Sequence, residues 1–168
     1  MKPTTPLSPE LQADIAAVQH IAAVKSILSE VCRITGMGFA AVARVTEDRW
    51  IACQVQDDID FGLDAGEELE VRTTICSEIR GSGTAVVIDN VASEPRWRTH
   101  HTPIMYGFKS YISMPIVRDD GSFFGTLCAI DPAARRSSLN EVRSEIERFA
   151  RTIAGELDAL SADLAASR

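Results

Sequence analysis

Residues 108–132, FKSYISMPIVRDDGSFFGTLCAIDP, constrain the fold of this chain more than any other stretch. Two apolar runs rich in β-branched and aromatic side chains flank Asp119-Asp120-Gly121, a turn sequence, so the segment reads as a β-hairpin. Shortly after it, Ser138-Leu139-Asn140-Glu141 has the spacing of a capping box and predicts that a long helix over 138–168 starts there.

A chain of 168 residues with 45% hydrophobic content is the size of one domain with a substantial core. No apolar run approaches the roughly 20 residues that span a bilayer, and the Met-Lys-Pro-Thr-Thr-Pro start lacks the apolar core of a secretory signal. No membrane partner and a cytoplasmic location are the expectations. The formal net charge of −7 opposes a phosphate backbone, which argues against nucleic acid as a partner. Cys32, Cys53, Cys76 and Cys128 form no C-x-x-C pair, so reduced and buried thiols are expected, with no metal site.

Residues 1–7 read as a flexible arm and residues 8–168 as the single domain. Ser8-Pro9-Glu10 is a helix start, followed by apolar residues at helical spacing as far as Cys32; a break falls near His20, and Gly36 ends the pattern. Phe39 to Val45 and Trp50 to Val55 read as an antiparallel strand pair. After a polar loop over 57–66 and a short extended piece near Leu69, Thr73-Thr74 caps a short helix through Ile75, Cys76 and Ile79, and 85–88 is a compact strand. From Asp89 to Tyr106 the periodicity fails around Pro95 and Pro103, as in a crossover that covers a pocket. The terminal helix carries the stripe Val142, Ile146, Phe149, Ile153, Leu157, Leu160, Leu164, which predicts a homodimer through the terminal helices.

Pro115-Ile116 and Gly125-Thr-Leu-Cys-Ala-Ile-Asp131, with Thr74-Ile75-Cys76, Ala85-Val-Val-Ile-Asp89 and Glu94-Pro95-Arg96-Trp97, resemble the motifs of bacterial sensory GAF domains. The resemblance covers roughly Ile21 to Leu157. It implies an α+β, GAF/PAS-like fold: a central antiparallel sheet of five or six strands, the first and last helices on one face, the short helix and crossover on the other. Members of that family bind cyclic nucleotides, bilins, haem or amino acids, so a shared fold names no ligand.

The candidate ligand-binding residues are Cys76, Asp89, Trp97, His100, His101, Tyr106, Phe108 and Tyr111. Cys76 lies in the first turn of a helix, where the dipole favours a thiolate, although a free cysteine is also an ordinary core residue. Trp97, Tyr106, Phe108 and Tyr111 have the makeup of a small-molecule site and equally of a core. Asp89 and Asp131 close apolar strands, as turn or cap residues do. Bilin-binding relatives of the cyanobacteriochrome kind carry Cys-His where this chain resembles them through His100-His101. Imidazole forms no thioether, so the resemblance implies at most a noncovalent bilin held by His101, or a haem ligated by one histidine.

The expected role is non-enzymatic small-molecule sensing within a signalling system that has an attached or separate output domain. The alternative is a thiol-based redox enzyme or sensor centred on Cys76, resembling the free methionine sulfoxide reductases. Those enzymes carry a further cysteine in the crossover, whereas residues 89–111 here hold none, and a thiol relay then has no evident resolving sulfur.

Overall fold

The computed structural model describes residues 5–166. Of the expected arm, residues 1–4 lie outside the described residues; Leu7 rests against the apolar layer of the helices. Ser8 Oγ accepts from Leu11 N at 3.2 Å and Pro9 occupies the first turn, so helix α1 (Pro9–His20) starts as its cap predicts. The break near His20 is real: α2 (Ala23–Thr35) leaves at 71° to α1. Gly36, at φ 72°, ends α2 in the left-handed region and donates its N–H to Cys32 O. Among the described residues, no single helix is long and apolar enough to cross a membrane.

Six strands follow: β1 (Phe39–Val45), β2 (Trp50–Asp57), β3 (Glu68–Leu69), β4 (Val86–Ile88), β5 (Ser110–Val117) and β6 (Phe123–Asp131). All pairings are antiparallel, in the order β3-β2-β1-β6-β5-β4, with the predicted hairpin β5–β6 beside β1 at the centre. Helix α3 (Ile75–Ser82) precedes β4, and the segment between β4 and β5 holds α4 (Pro95–Arg98) and α5 (His101–Tyr106). Each of these turns is too short to show a helical period, which is why the crossover reads as irregular in sequence.

Side chains alternate across the sheet. Ala40, Val42, Ile112, Met114 and Leu127 face α1, α2 and the C-terminal helix, whereas Phe39, Ala41, Tyr111, Cys128 and Ile130 face α3 and the crossover. The layering is α+β, as the resemblance implies.

Gly125 explains the glycine of the β6 motif. A Cβ there would lie 1.8 Å from Ala43 O, so the register Arg44↔Gly125 requires a residue without a side chain.

The capping-box expectation needs correction. Ser138 accepts from Asn140 N and caps only a single 3-10 turn, Leu139–Glu141, and the long helix α6 (Arg143–Ala166) begins after it. Asp89 drives the difference: its carboxylate accepts from Leu139 N at 2.7 Å and from Ser138 Oγ at 3.0 Å, which anchors the turn to the end of β4. The stripe of α6 is also rotated from its expected line, with Ile146, Ala150, Ile153, Ala154 and Leu157 buried and Phe149 only half-buried.

Candidate functional site

The floor of the site is the crossover face of the central strands. Register places Ala41 and Ser113 on either side of Cys128, and Thr126 across from Ala43. Small side chains there let α3 settle close to the sheet. Thr74 Oγ1 accepts from Ser77 N at 3.3 Å and caps α3, setting Cys76 in its first turn with the side chain directed at β5 and β6.

Cys76 Sγ meets Thr126 Oγ1 at 3.1 Å, Tyr111 Oη at 3.4 Å and Ser113 Oγ at 3.9 Å. Cys128, on the strand beneath, is the largest influence holding the Cys76 thiol below the ordinary thiol range. Burial opposes the shift; Thr126, Tyr111 and Trp50 add to it. Cys128 moves the other way, well above the usual range, because of the neighbouring Cys76 and its burial. Tyr111 is raised by burial and by the neighbouring Cys76. The other two thiols behave as buried apolar groups: burial pushes Cys32 up to about 11 and Cys53 up to about 12. Cys76 and Cys128 are thus a chemically distinct pair.

Above Cys76 lies an apolar cavity of about 50 Å³, bounded by Trp50, Phe61, Leu63, Tyr106, Phe108 and Tyr111 together with both cysteines. Its cover comes from two segments. Tyr106 Oη is 2.6 Å from Thr73 Oγ1, and Thr102 Oγ1 donates to Thr73 O, so α5 is fastened to the turn before α3. The second segment, the loop after β2, is gathered by Asp57, whose carboxylate accepts from Ile59 N, Phe61 N and Gly62 N at 2.9–3.2 Å. That places Phe61 4.9 Å from Phe39 and 6.1 Å from Tyr106, ring centre to ring centre.

Trp50 is 3% exposed, and its Nε1–H has no hydrogen-bond acceptor. It lines the cavity, and its N–H helps to lower the Cys76 thiol. A buried indole N–H without an acceptor is costly, and a guest oxygen in the cavity would relieve it.

Four of the eight candidate residues, Cys76, Tyr106, Phe108 and Tyr111, line this cavity. The others lie elsewhere. Asp89 anchors the turn before α6. Trp97 is buried in the core beside the crossover, with Arg96 4.2 Å above its ring. His100 caps α5 through Nδ1 and holds Glu78 through Nε2 at 2.8 Å. His101 is exposed, with Nε2 3.2 Å from Arg72 O. Among the described residues no group of three or more His, Cys, Asp or Glu side chains comes together as metal ligands.

Sequence reading missed Trp50, Phe61 and above all Cys128, whose partner thiol is 52 positions earlier in the chain. The signal was period-two alternation: Thr126, Cys128 and Ile130 must share one face of β6, and Tyr111 and Ser113 the matching face of β5.

The fold is shared with solved structures of low sequence identity. The GAF domain of PixJ from Thermosynechococcus elongatus, in its blue-light absorbing form, matches with a TM-score of 0.67 at 14% identity, over 97% of this chain and 96% of that one. The chromophore-binding domain of the bacteriophytochrome RpBphP3 from R. palustris matches at 0.67 and 19%, over 91% of this chain and 61% of that one. Free methionine-R-sulfoxide reductase from Neisseria meningitidis, in complex with its substrate, matches at 0.62 and 16%, over 95% and 97%. No curated protein matches the chain significantly. The family model described as "GAF domain" matches residues 19–157, which takes in the whole sheet, α3, the crossover and most of α6, and the chain therefore belongs to the GAF domain family.

Proposed function

We propose that this GAF domain is a sensory module that takes a small, largely apolar ligand carrying one hydrogen-bond acceptor into the cavity over Cys76. The buried Trp50 Nε1–H carries this reading, because it lines the cavity and no acceptor among the described residues completes a hydrogen bond to it. A cavity of about 50 Å³ is far smaller than a bilin or haem, and neither His100 nor His101 lines it. A noncovalent tetrapyrrole would have to displace Phe61 and Tyr106, so a smaller guest is favoured.

The signal has a physical route. The strands that touch Cys76 run on into the β5–β6 turn, where Arg118 Nε holds Asp158 of α6 at 3.0 Å and Asp119 N donates to the same carboxylate. A ligand that spreads β5 from α3 shifts α6 through this contact, provided it binds the two arrangements unequally. The role of α6 as carrier to an output domain, its pairing in a homodimer and a cytoplasmic setting belong to this proposal.

Native mass spectrometry of freshly purified protein tests it. One retained small molecule per chain is expected, with no visible absorption, and Trp50→Phe should lower its occupancy. Visible absorption from a retained tetrapyrrole would overturn the size argument. Retention that Trp50→Phe leaves unchanged would move the ligand out of this cavity.

The pairing of Cys76 with Cys128 favours a second reading, thiol redox chemistry at the same site.

A further inference from the structure

The cavity brings together features that a passive core does not need. Cys76 is the only described cysteine ringed by hydroxyl groups, and those of Thr126, Tyr111 and Ser113 all reach its sulfur. A second thiol, Cys128 of β6, lines the same cavity directly across from Ser113, whose hydroxyl is 3.9 Å from the Cys76 sulfur. Trp50 Nε1–H, unpaired and 3% exposed, lines the same small space. Cys32 and Cys53 lie in the opposite apolar layer, with no such surroundings.

We propose that Cys76 and Cys128 form a peroxide-reactive dithiol, which takes a small hydroperoxide into the cavity and closes to a disulfide between α3 and β6. The inference deepens the sensing role and rests on the same cavity. It also supplies the resolving sulfur that sequence reading lacked: the donor comes from the central strand instead of the crossover.

The chemistry balances. Cys76 Sγ, as thiolate, attacks the distal oxygen of the hydroperoxide; the S–O bond forms, the O–O bond breaks, and the departing oxygen takes the proton that Cys76 gave up, leaving as alcohol or, from hydrogen peroxide, as water. The Cys128 thiol then attacks the Cys76 sulfenic acid, the S–S bond forms, and the hydroxyl leaves as water with the Cys128 proton. Two thiols lose two electrons and one hydroperoxide gains them. Thr126 and Tyr111 stabilise the thiolate, and Trp50 Nε1–H donates to the oxygen carried on sulfur. An external dithiol reverses the disulfide.

The space beside the sulfur favours a small substrate. About 50 Å³ admits hydrogen peroxide or a short alkyl hydroperoxide and turns away bulky lipid hydroperoxides.

The test is titration of the folded, reduced protein with hydrogen peroxide, followed by alkylation, unfolding and peptide mapping. One equivalent should yield a Cys76–Cys128 disulfide peptide while Cys32 and Cys53 remain free thiols. Cys128→Ser should accumulate a dimedone-reactive sulfenic acid at Cys76, and Cys76→Ser should consume peroxide on the order of tenfold more slowly or less. Trp50→Phe should slow Cys76 oxidation about threefold, through loss of one donor to the developing oxygen. Oxidation spread evenly over the four cysteines, or a peroxide rate unchanged in Cys76→Ser, would overturn the proposal. Native mass spectrometry on Cys76→Ser separates it from the sensing role. A retained ligand with no disulfide in the parent protein removes the peroxide chemistry alone, and a disulfide with no retained ligand removes the separate ligand alone.

Discussion

Ser113 of β5 stands directly across from Cys128 of β6, and the Ser113 hydroxyl lies 3.9 Å from the sulfur of Cys76 on the helix above. One register pairing thus assembles a site from three segments. Cys128 is the main influence lowering the Cys76 thiol, which leads to the first expectation.

Cys128→Ala should shift the alkylation of Cys76 to higher pH. Cys128 lowers the Cys76 thiol, so its removal leaves burial less opposed and the thiolate appears later on a rising pH scale. Iodoacetamide rates at Cys76, followed by peptide mass spectrometry from pH 5 to 10, check this. A profile unmoved by Cys128→Ala would show that the hydroxyls alone set its acidity.

Asp57 governs the cover. Burial raises its carboxyl, but N–H bonds from Gly62, Phe61 and Ile59 outweigh this and hold it below the ordinary carboxylate value. A depressed folded-state value means that the contribution is present above the unfolded value and is lost as pH falls through the lower, folded one. Asp57→Ala should therefore cost about 1–2 kcal/mol at neutral pH, from loss of charge-assisted bonds. The difference from the parent protein should shrink below about pH 4. Hydrogen exchange at Phe61 and Gly62 should quicken in the variant.

Two glycines should respond in opposite directions to alanine. Gly125→Ala drives a methyl into Ala43 O and should abolish the native sheet register, seen as loss of soluble, cooperatively melting protein. Gly155 lies inside α6 with open space around the position of a Cβ, and Gly155→Ala should stabilise by about 0.5–1 kcal/mol. Thermal melts compare them directly.

Leu157 and Leu164 separate the domain core from the proposed dimer seam. Leu157 is 2% exposed within the layer against the sheet, so Leu157→Glu should unfold the domain and says nothing about association. Leu160 is half-buried and Leu164 is 59% exposed. Replacing both by Glu should leave the melting midpoint within a few degrees and convert a dimer to a monomer in light scattering. A parent protein already monomeric at high micromolar concentration would remove the dimer.

Trp97 is expected to behave as core. Trp97→Ala should cost about 3–5 kcal/mol, as large truncations in a packed interior do. Ligand retention in the fraction that remains folded should be unchanged, because Trp97 lies outside the cavity lining.

Local chemistry was legible without coordinates wherever neighbours in sequence are neighbours in space. Ser8 and Thr74 as caps, the break at His20, the Asp119-Asp120-Gly121 turn and the alternation along β5 and β6 all follow from short-range rules, and with the motif resemblance they determined the fold. The tertiary structure decided what those rules do not reach. His100 caps α5 through Nδ1 and meets Glu78, 22 residues earlier, through Nε2 at 2.8 Å. Asp89 is taken by a turn 50 residues later. Cys76, already set apart in sequence by its place in the first turn of a helix, and Cys128, an ordinary strand thiol, come to line one cavity only when α3 lies down on the sheet. Strand register and helix placement are set by burial summed over the whole sheet, and such a sum has no local signature in the chain.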